Sequence, residues 1–305
     1  MKSVRIAIFA FAILMVSGIA SAQATRTWIS GTGDDANPCS RTAPCRTWAG
    51  AISKTARNGE MNSLDPNGAG PLTITKSITV DGSHQLSGVL ASGGFNAYIV
   101  NVTDFVNDPN ATVIIRGLDI NGAGTGLNGI RILSAKNVII EDCKIYGFRA
   151  AGGGHGIDIV SPVAGMNVTI RNSTISNNGT MGIRVTSTGA GSTNLTVENS
   201  LISENGSHAI DLIQNANLVV ANSRLIANAG GGVISEAAST NANIMMSAIA
   251  FNSVGATALN GSQVRLLASA VWKNGTSVSG NVSSHQNNSV VDNGVNTLPT
   301  GIGQQ

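Results

Sequence analysis

The sequence predicts an all-β solenoid, a stack of short coils around a narrow aliphatic core, and three observations carry that prediction. The first is a repeated phrase: NVTIRNSTISNNG (Asn167–Gly179), NLTVENSLISENG (Asn194–Gly206) and NLVVANSRLIANAG (Asn217–Gly230), with fainter copies opening at Thr112, Asn137, Asn241 and Gln263. Successive starts lie 25, 30, 27, 23, 24 and 22 residues apart, a period that marks stacked units, each burying its apolar face against the next. The second is alternation inside each copy. Val168 and Ile170, then Ile183 and Val185, share one face while polar neighbours take the other. The third is composition: aromatic residues are 4% and charged residues 11%, beside 37 glycines. Such a chain is poor in globular core formers, but a coil stack needs only Val, Ile, Leu and Ala inside.

The chain opens with Lys2 and Arg5 before an apolar run from Ile6 to Val16, and ends that stretch in Ala-Ser-Ala and Ala-Gln-Ala. This reads as a secretory signal over residues 1–22, with a mature start at Gln23 or Thr25. The expected location is therefore secreted or periplasmic. No second apolar run approaches the roughly 20 residues of a membrane span.

Residues 25–70 differ in composition and are expected to cap the apolar cross-section at the N-terminal end. Trp48, Ala51, Ile52 and Ala56 suit one face of a short helix, with Thr47 near its start and Gly59 after its end. Cys39 and Cys45 lie in one loop of a secreted chain and read as a disulfide; no further Cys or His cluster supports a metal site there.

Residues 71–285 hold the coils. LTITKSITVDG (Leu72–Gly82) and NAYIVNV (Asn96–Val102) form the first, with a loop from Asp104 to Asn110. Two Asn columns recur, Asn172, Asn199 and Asn222, then Asn178, Asn205, Asn228, Asn252 and Asn274. Asn tolerates left-handed backbone and stacks by side-chain hydrogen bonds, so both columns are expected to turn the chain and tie coils together. Cys143 shares a small, inward column with Ser173, Ser200, Ser223, Ser247 and Ser269, and reads as an inert core thiol. About ten coils at roughly 4.7–4.9 Å give a rod on the order of 50 Å. Residues 286–305 read as a polar, poorly ordered tail.

The opening WISGTGDDANPCSRTAPCRTWAGAIS (Trp28–Ser53) and the repeat phrase, apolar-x-Asn-x-x-apolar-x-x-Asn and then Gly-apolar-x-apolar, resemble those of secreted bacterial right-handed parallel β-helix proteins of the pectin-lyase type. The resemblance covers most of the mature chain. It implies that fold, and it implies that any activity would sit on the outer face of the helix.

Charge excludes some partners. Without Lys2 and Arg5 the mature chain carries 16 basic and 16 acidic residues. That balance argues against a nucleic-acid binder or a polybasic membrane docker. Register is more informative. Arg116, Glu141, Arg171 and Glu198 occupy one outward column, Arg131, Asp158, Arg184 and Asp211 another, and Asp119 precedes Lys144 in a third. Outward neighbours in a parallel stack are column mates, so alternating signs attract. Ladders that specify register are the simplest reading, each exposed pair contributing roughly 0–1 kcal/mol.

A catalytic reading would use Asp158, Arg184, Asp211 and His155. Gly154-His155-Gly156 looks like part of the polygalacturonase signature, but no Asn-Thr-Asp precedes it and no Arg-Ile-Lys follows. Asp158 and Asp211 fall two coils apart, near or just beyond the roughly 6.5–9.5 Å of inverting glycosidases. Arg184 between them is expected to lower both carboxyl pKa values, which leaves no general acid. A Ca²⁺ site, conceivable under a lyase reading, wants clustered acids, and here each is flanked by cations. His155 and His208 share a column with Met181 between, too far apart for one metal. Tyr146, Phe148 and Arg149 form the best exposed aromatic patch for sugar, with Trp272 a weaker one; the competing reading packs Phe148 under the 149–155 loop. The expectation is a non-catalytic protein that binds extracellular polysaccharide or serves as a surface scaffold. The alternative is a polysaccharide lyase or glycoside hydrolase.

Overall fold

The computed structural model describes residues 23–303; the expected signal segment lies outside them. Every strand pairing is parallel, and the strands fall into three sheets of 12, 10 and 9 strands, here sheets A, B and C. Each coil visits A, then B, then C. One runs through Asn137–Glu141, Lys144–Phe148 and His155–Ile159, and the next through Met166–Arg171, Thr174–Ser176 and Ile183–Thr186. The chain is thus a three-sided parallel β-helix.

Register is one-to-one between coils. Val138 pairs with Val168, which pairs with Leu195 and then Leu218. These residues, like Ile140, Ile170, Val197 and Val220 beside them, are buried. A slip of one residue would turn every one of these aliphatics to solvent, which is what fixes the register.

The corners follow from backbone chemistry. Between sheets A and B, Asp142, Asn172, Asn199 and Asn222 adopt φ of 53°, 50°, 47° and 49°, the left-handed region that short polar side chains tolerate. That matches the first Asn column. The second behaves differently. Between B and C the left-handed residues are Asn177, Glu204, Ala227, Phe251 and Lys273, each one position before the Asn. Asn178, Asn205, Asn228, Asn252 and Asn274 are instead buried. Each donates its side-chain amide to the next copy's Oδ1 at 2.9–3.0 Å, the last to Asn293. This column ties coils together from inside rather than turning them. Ser173, Ser200, Ser223 and Ser247 form a parallel ladder in which each backbone N–H donates to the next serine's Oγ. Cys143 heads it, buried, and burial pushes its thiol up to about 12.

At the N-terminal end the helix is shorter than expected. It spans Trp48–Ile52, with Thr47 as N-cap accepting from Gly50 N–H at 2.9 Å. Ala56 belongs to the strand Thr55–Ser63, because buried Thr55 hydrogen-bonds Thr27 Oγ1 at 2.7 Å and joins sheet A. Residues 25–70 therefore supply rungs of the stack as well as covering it. The Cys39–Cys45 disulfide is formed. At the other end, Ser289–Val291 and Thr300–Gly301 pair with sheets B and A, so pairing runs past residue 285 into the segment expected to be a tail.

Candidate functional site

Sheet C carries the residues singled out by register. Arg131 pairs with Asp158, Asp158 with Arg184 and Arg184 with Asp211, so the column is real. The sequence does not reveal its depth. The Asp158 side chain is 2% exposed, between Arg131 and Arg184 at 35% and 29%. Arg184 Nε donates to Asp158 Oδ1 at 2.9 Å, and Arg131 Nε stands 3.6 Å from Asp158 Oδ2. Two half-exposed guanidinium groups thus flank one sealed carboxylate.

Arg184 makes an ion pair with one of the two acids only. It turns to Asp158, and Asp211 is left buried, its Oδ1 without a hydrogen-bond partner among the described residues. Burial, reinforced by Glu236 and opposed by Arg184, pushes the Asp211 carboxyl up to about 7. The expectation that Arg184 lowers both carboxyl pKa values fails at Asp211, because alternation along a column does not decide which neighbour a single arginine contacts. A buried carboxyl near neutrality is chemically a proton donor, the group the sequence reading found missing.

His155 opens the strand of Asp158, three positions before it and in register with Asn128. Its Nδ1 lies 2.7 Å from Thr180 Oγ1, and its backbone N–H donates to Asn128 Oδ1 at 3.2 Å. Burial first, then the positive fields of Arg184 and Arg131 against that of Asp158, lower its pKa to about 4. It is a neutral imidazole at physiological pH. His208, also lowered by burial, has Ser207 Oγ 3.1 Å from its Nδ1. Gly156 N–H donates to Met181 O and Gly182 N–H to His208 O. A whole coil therefore separates the two histidines, about 10 Å in all, which no single metal spans. Among the described residues no group of three or more His, Cys, Asp or Glu could hold a metal ion.

The aromatic patch is corrected. Phe148 is fully buried, packed beneath Gly126 and Gly129 where an added Cβ would meet its ring; it cannot touch a ligand. Arg149 donates to Asn177 Oδ1. Tyr146 is half-buried on sheet B, its hydroxyl pKa raised by burial and by Asp119. These residues lie on or next to sheet B, away from Asp158. Sequence reasoning missed a groove of about 380 Å³ beside them, between Ser83–Ser87 and Asp119, Asp142 and Lys144. Its wall is an early, irregular coil with no repeat to mark it.

On sheet A the other ladder has the expected register. Arg171 Nη2 pairs with Glu141 at 2.5 Å, and Arg116 Nη2 with Asp81 at 2.8 Å and Glu60 at 3.4 Å. The charges bind one another as far as Arg171, and Glu198 makes no ion pair among the described residues.

The sequence matches no protein-family model and no curated protein. Solved structures share the fold. The enzymatically active domain of bacteriophage CBA120 tailspike protein 2 aligns at 14% identity and TM-score 0.57, over 77% of this chain and 39% of that one. A pectate lyase aligns at 14% identity and TM-score 0.51, over 87% of this chain and 69% of that one. The A-module of an Azotobacter vinelandii mannuronan C-5 epimerase aligns at 16% identity and TM-score 0.52, over 74% and 71%. The chain thus spans about two-fifths of the tailspike domain. The fold is the right-handed parallel β-helix of the pectin-lyase type.

Proposed function

We propose that this chain is an extracellular β-helix protein that binds an acidic polysaccharide along the outer face of sheet C without cutting it. One observation carries the reading: Asp158 is sealed between Arg131 and Arg184, so the groups this face offers to solvent are guanidiniums rather than carboxylates. Guanidinium forks suit carboxylate or sulfate groups. The two arginines stand two coils apart, about 10 Å, a distance that successive sugars of an extended chain can match. Shared fold with a pectate lyase and a mannuronan epimerase, whose names are those of polysaccharide-acting proteins, supports the ligand class. The disulfide and the secretory reading of residues 1–22 support the location. Affinity electrophoresis tests it. Gels containing alginate or polygalacturonate should retard the wild type, Arg131→Ala with Arg184→Ala should lose at least tenfold in affinity, and the retardation should weaken with salt. Equal retardation of wild type and double variant would end this reading.

The second reading, a lyase or glycoside hydrolase, is favoured by Asp211 alone: an unpartnered buried carboxyl with a pKa of about 7 can hold or release a proton at working pH. Assays for unsaturated-product absorbance and for new reducing ends, with and without Ca²⁺, decide between the two. Turnover abolished in Asp211→Asn would establish catalysis and overturn the non-catalytic reading.

A further inference from the structure

The coil that passes through Ala248–Ala250 breaks the corner chemistry of the coils around it. At the A–B corner, Asn172, Asn199 and Asn222 give way to Met246, still at φ 48° and 55% exposed. At the B–C corner, after Asn177, Glu204 and Ala227, stands Phe251, at φ 58° and 52% exposed. Bulky side chains in left-handed backbone are costly, and an exposed apolar one gains nothing from burial to offset the strain. Both corners of one coil carry that cost.

Their surroundings form a built surface. Phe251 meets Trp272 edge to face, with ring centroids 5.0 Å apart and an interplanar angle of 67°. Trp272 sits in register with Ala250 of the coil before it. Two residues earlier on the same strands, Ala248 and Ala270 floor a groove of about 590 Å³ that Met246 and Arg224 also line. Arg224 makes no ion pair among the described residues, and the rest of the lining is rich in serine and asparagine. Small residues open the floor, Met246 and Arg224 line it, and the Phe251–Trp272 ring pair stands just beyond the lining, two residues along the strand from Ala270. An apolar ring face edged by hydroxyls matches that combination.

We infer that the outer face of sheet B, from Met246 to the Phe251–Trp272 corner, is a second carbohydrate site, which stacks a pyranose of a polysaccharide chain on the two rings and hydrogen-bonds its hydroxyls through Arg224. This face is distinct from the Arg131–Arg184 face of sheet C, so either site can fail without the other.

Phe251→Asn separates binding from structure, because Asn is the residue the left-handed corner prefers. The variant should melt at the wild-type temperature or above it, and yet lose at least fivefold in retardation in gels of alginate or of a neutral galactomannan. Trp272→Ala and Arg224→Ala should lose affinity likewise, while the Arg131→Ala, Arg184→Ala double variant keeps the galactomannan retardation. Saturating oligosaccharide should shift wild-type tryptophan emission and leave that of Trp272→Ala unshifted. Phe251→Asn and Trp272→Ala retarded as strongly as the wild type would overturn the site, as would a wild type that neither gel retards. Sedimentation showing a dimer that Trp272→Ala dissolves would overturn it too, by assigning the face to a second copy of the chain.

Discussion

Asp211 and His155 stand on the same sheet, in columns three strand positions apart, and carry opposite pH dependences. For Asp211 the folded pKa of about 7 exceeds the ordinary 3.8. Between these values the folded protein holds a proton that the unfolded chain has released, so stability falls as pH rises from about 4 to about 7, by on the order of 4 kcal/mol in all. His155 runs the other way. Its folded pKa of about 4 lies below the ordinary 6.5, so the unfolded chain takes the proton first and stability is lost as pH falls from about 6.5 to about 4. In the wild type the two slopes largely cancel between pH 4 and 6.5. Asp211→Asn removes one of them, so urea unfolding of that variant should show stability rising with pH across this window, and its advantage over wild type should be greatest above pH 7. A flat difference between the two proteins from pH 4 to 8 would contradict the burial of Asp211. The column holding this residue was legible in the sequence, because strand alternation and repeat spacing fix which residues meet. Its burial was not, because Arg184 chooses one of two equivalent neighbours by side-chain geometry that no periodicity encodes.

The corner ladders show the same division between what repeats and what must be seen in three dimensions. Both Asn columns stand out in the sequence, yet only one turns the backbone. Asn serves equally well in left-handed corners and in stacked amide ladders, and the two uses leave the same letter. Phe148 is a parallel case: whether an aromatic beside a glycine loop lies on it or under it depends on Gly126 and Gly129 yielding room, which is a property of neighbouring coils. The inner ladder makes a graded prediction. Asn205 Oδ1 accepts from both the backbone N–H and the side-chain amide of Asn178, and its own amide donates to Asn228. Asn205→Ala strands both buried Asn178 donors, while Asn228 Oδ1 keeps the backbone N–H of residue 205, a cost of about 3 kcal/mol at 1–3 kcal/mol for each unsatisfied group. Asn293, the last copy, accepts the same two bonds from Asn274 and donates to Val271 O, Val291 O and Asn296 Oδ1, but at 9% exposed, against 1% for Asn205, it is the copy nearest solvent. There water can replace the lost partner, so Asn293→Ala should cost about 1 kcal/mol. Chemical denaturation of the two variants measures the difference, and equal losses would mean that the ladder contributes no more inside the stack than at its end.

In a stack held by nearest-neighbour contacts each rung depends mainly on those beside it, and the disulfide sits at the first. Trp28 N–H donates to Cys39 O and Cys45 N–H to Trp28 O, so the loop closed by the Cys39–Cys45 bond is laced to the strand Ala24–Ile29 that begins sheet A. Trp48, at the start of the short helix that follows the loop, is fully buried. Closing a loop this short restricts the unfolded segment by about 2 kcal/mol. In a globule that loss would be shared by the whole core. In a one-dimensional stack it belongs to the coils nearest the break, because each coil touches only its neighbours and local opening need not propagate. Reduction of the disulfide should therefore speed hydrogen exchange in residues 24–63 by about thirtyfold, the equivalent of that 2 kcal/mol, while amides of the regular coils from Met166 to Ala221 keep their protection. The alternative outcome is equally clear: if exchange rises to the same degree from Ala24 to Trp272, the coils unfold as one cooperative unit and the end segment governs all of them.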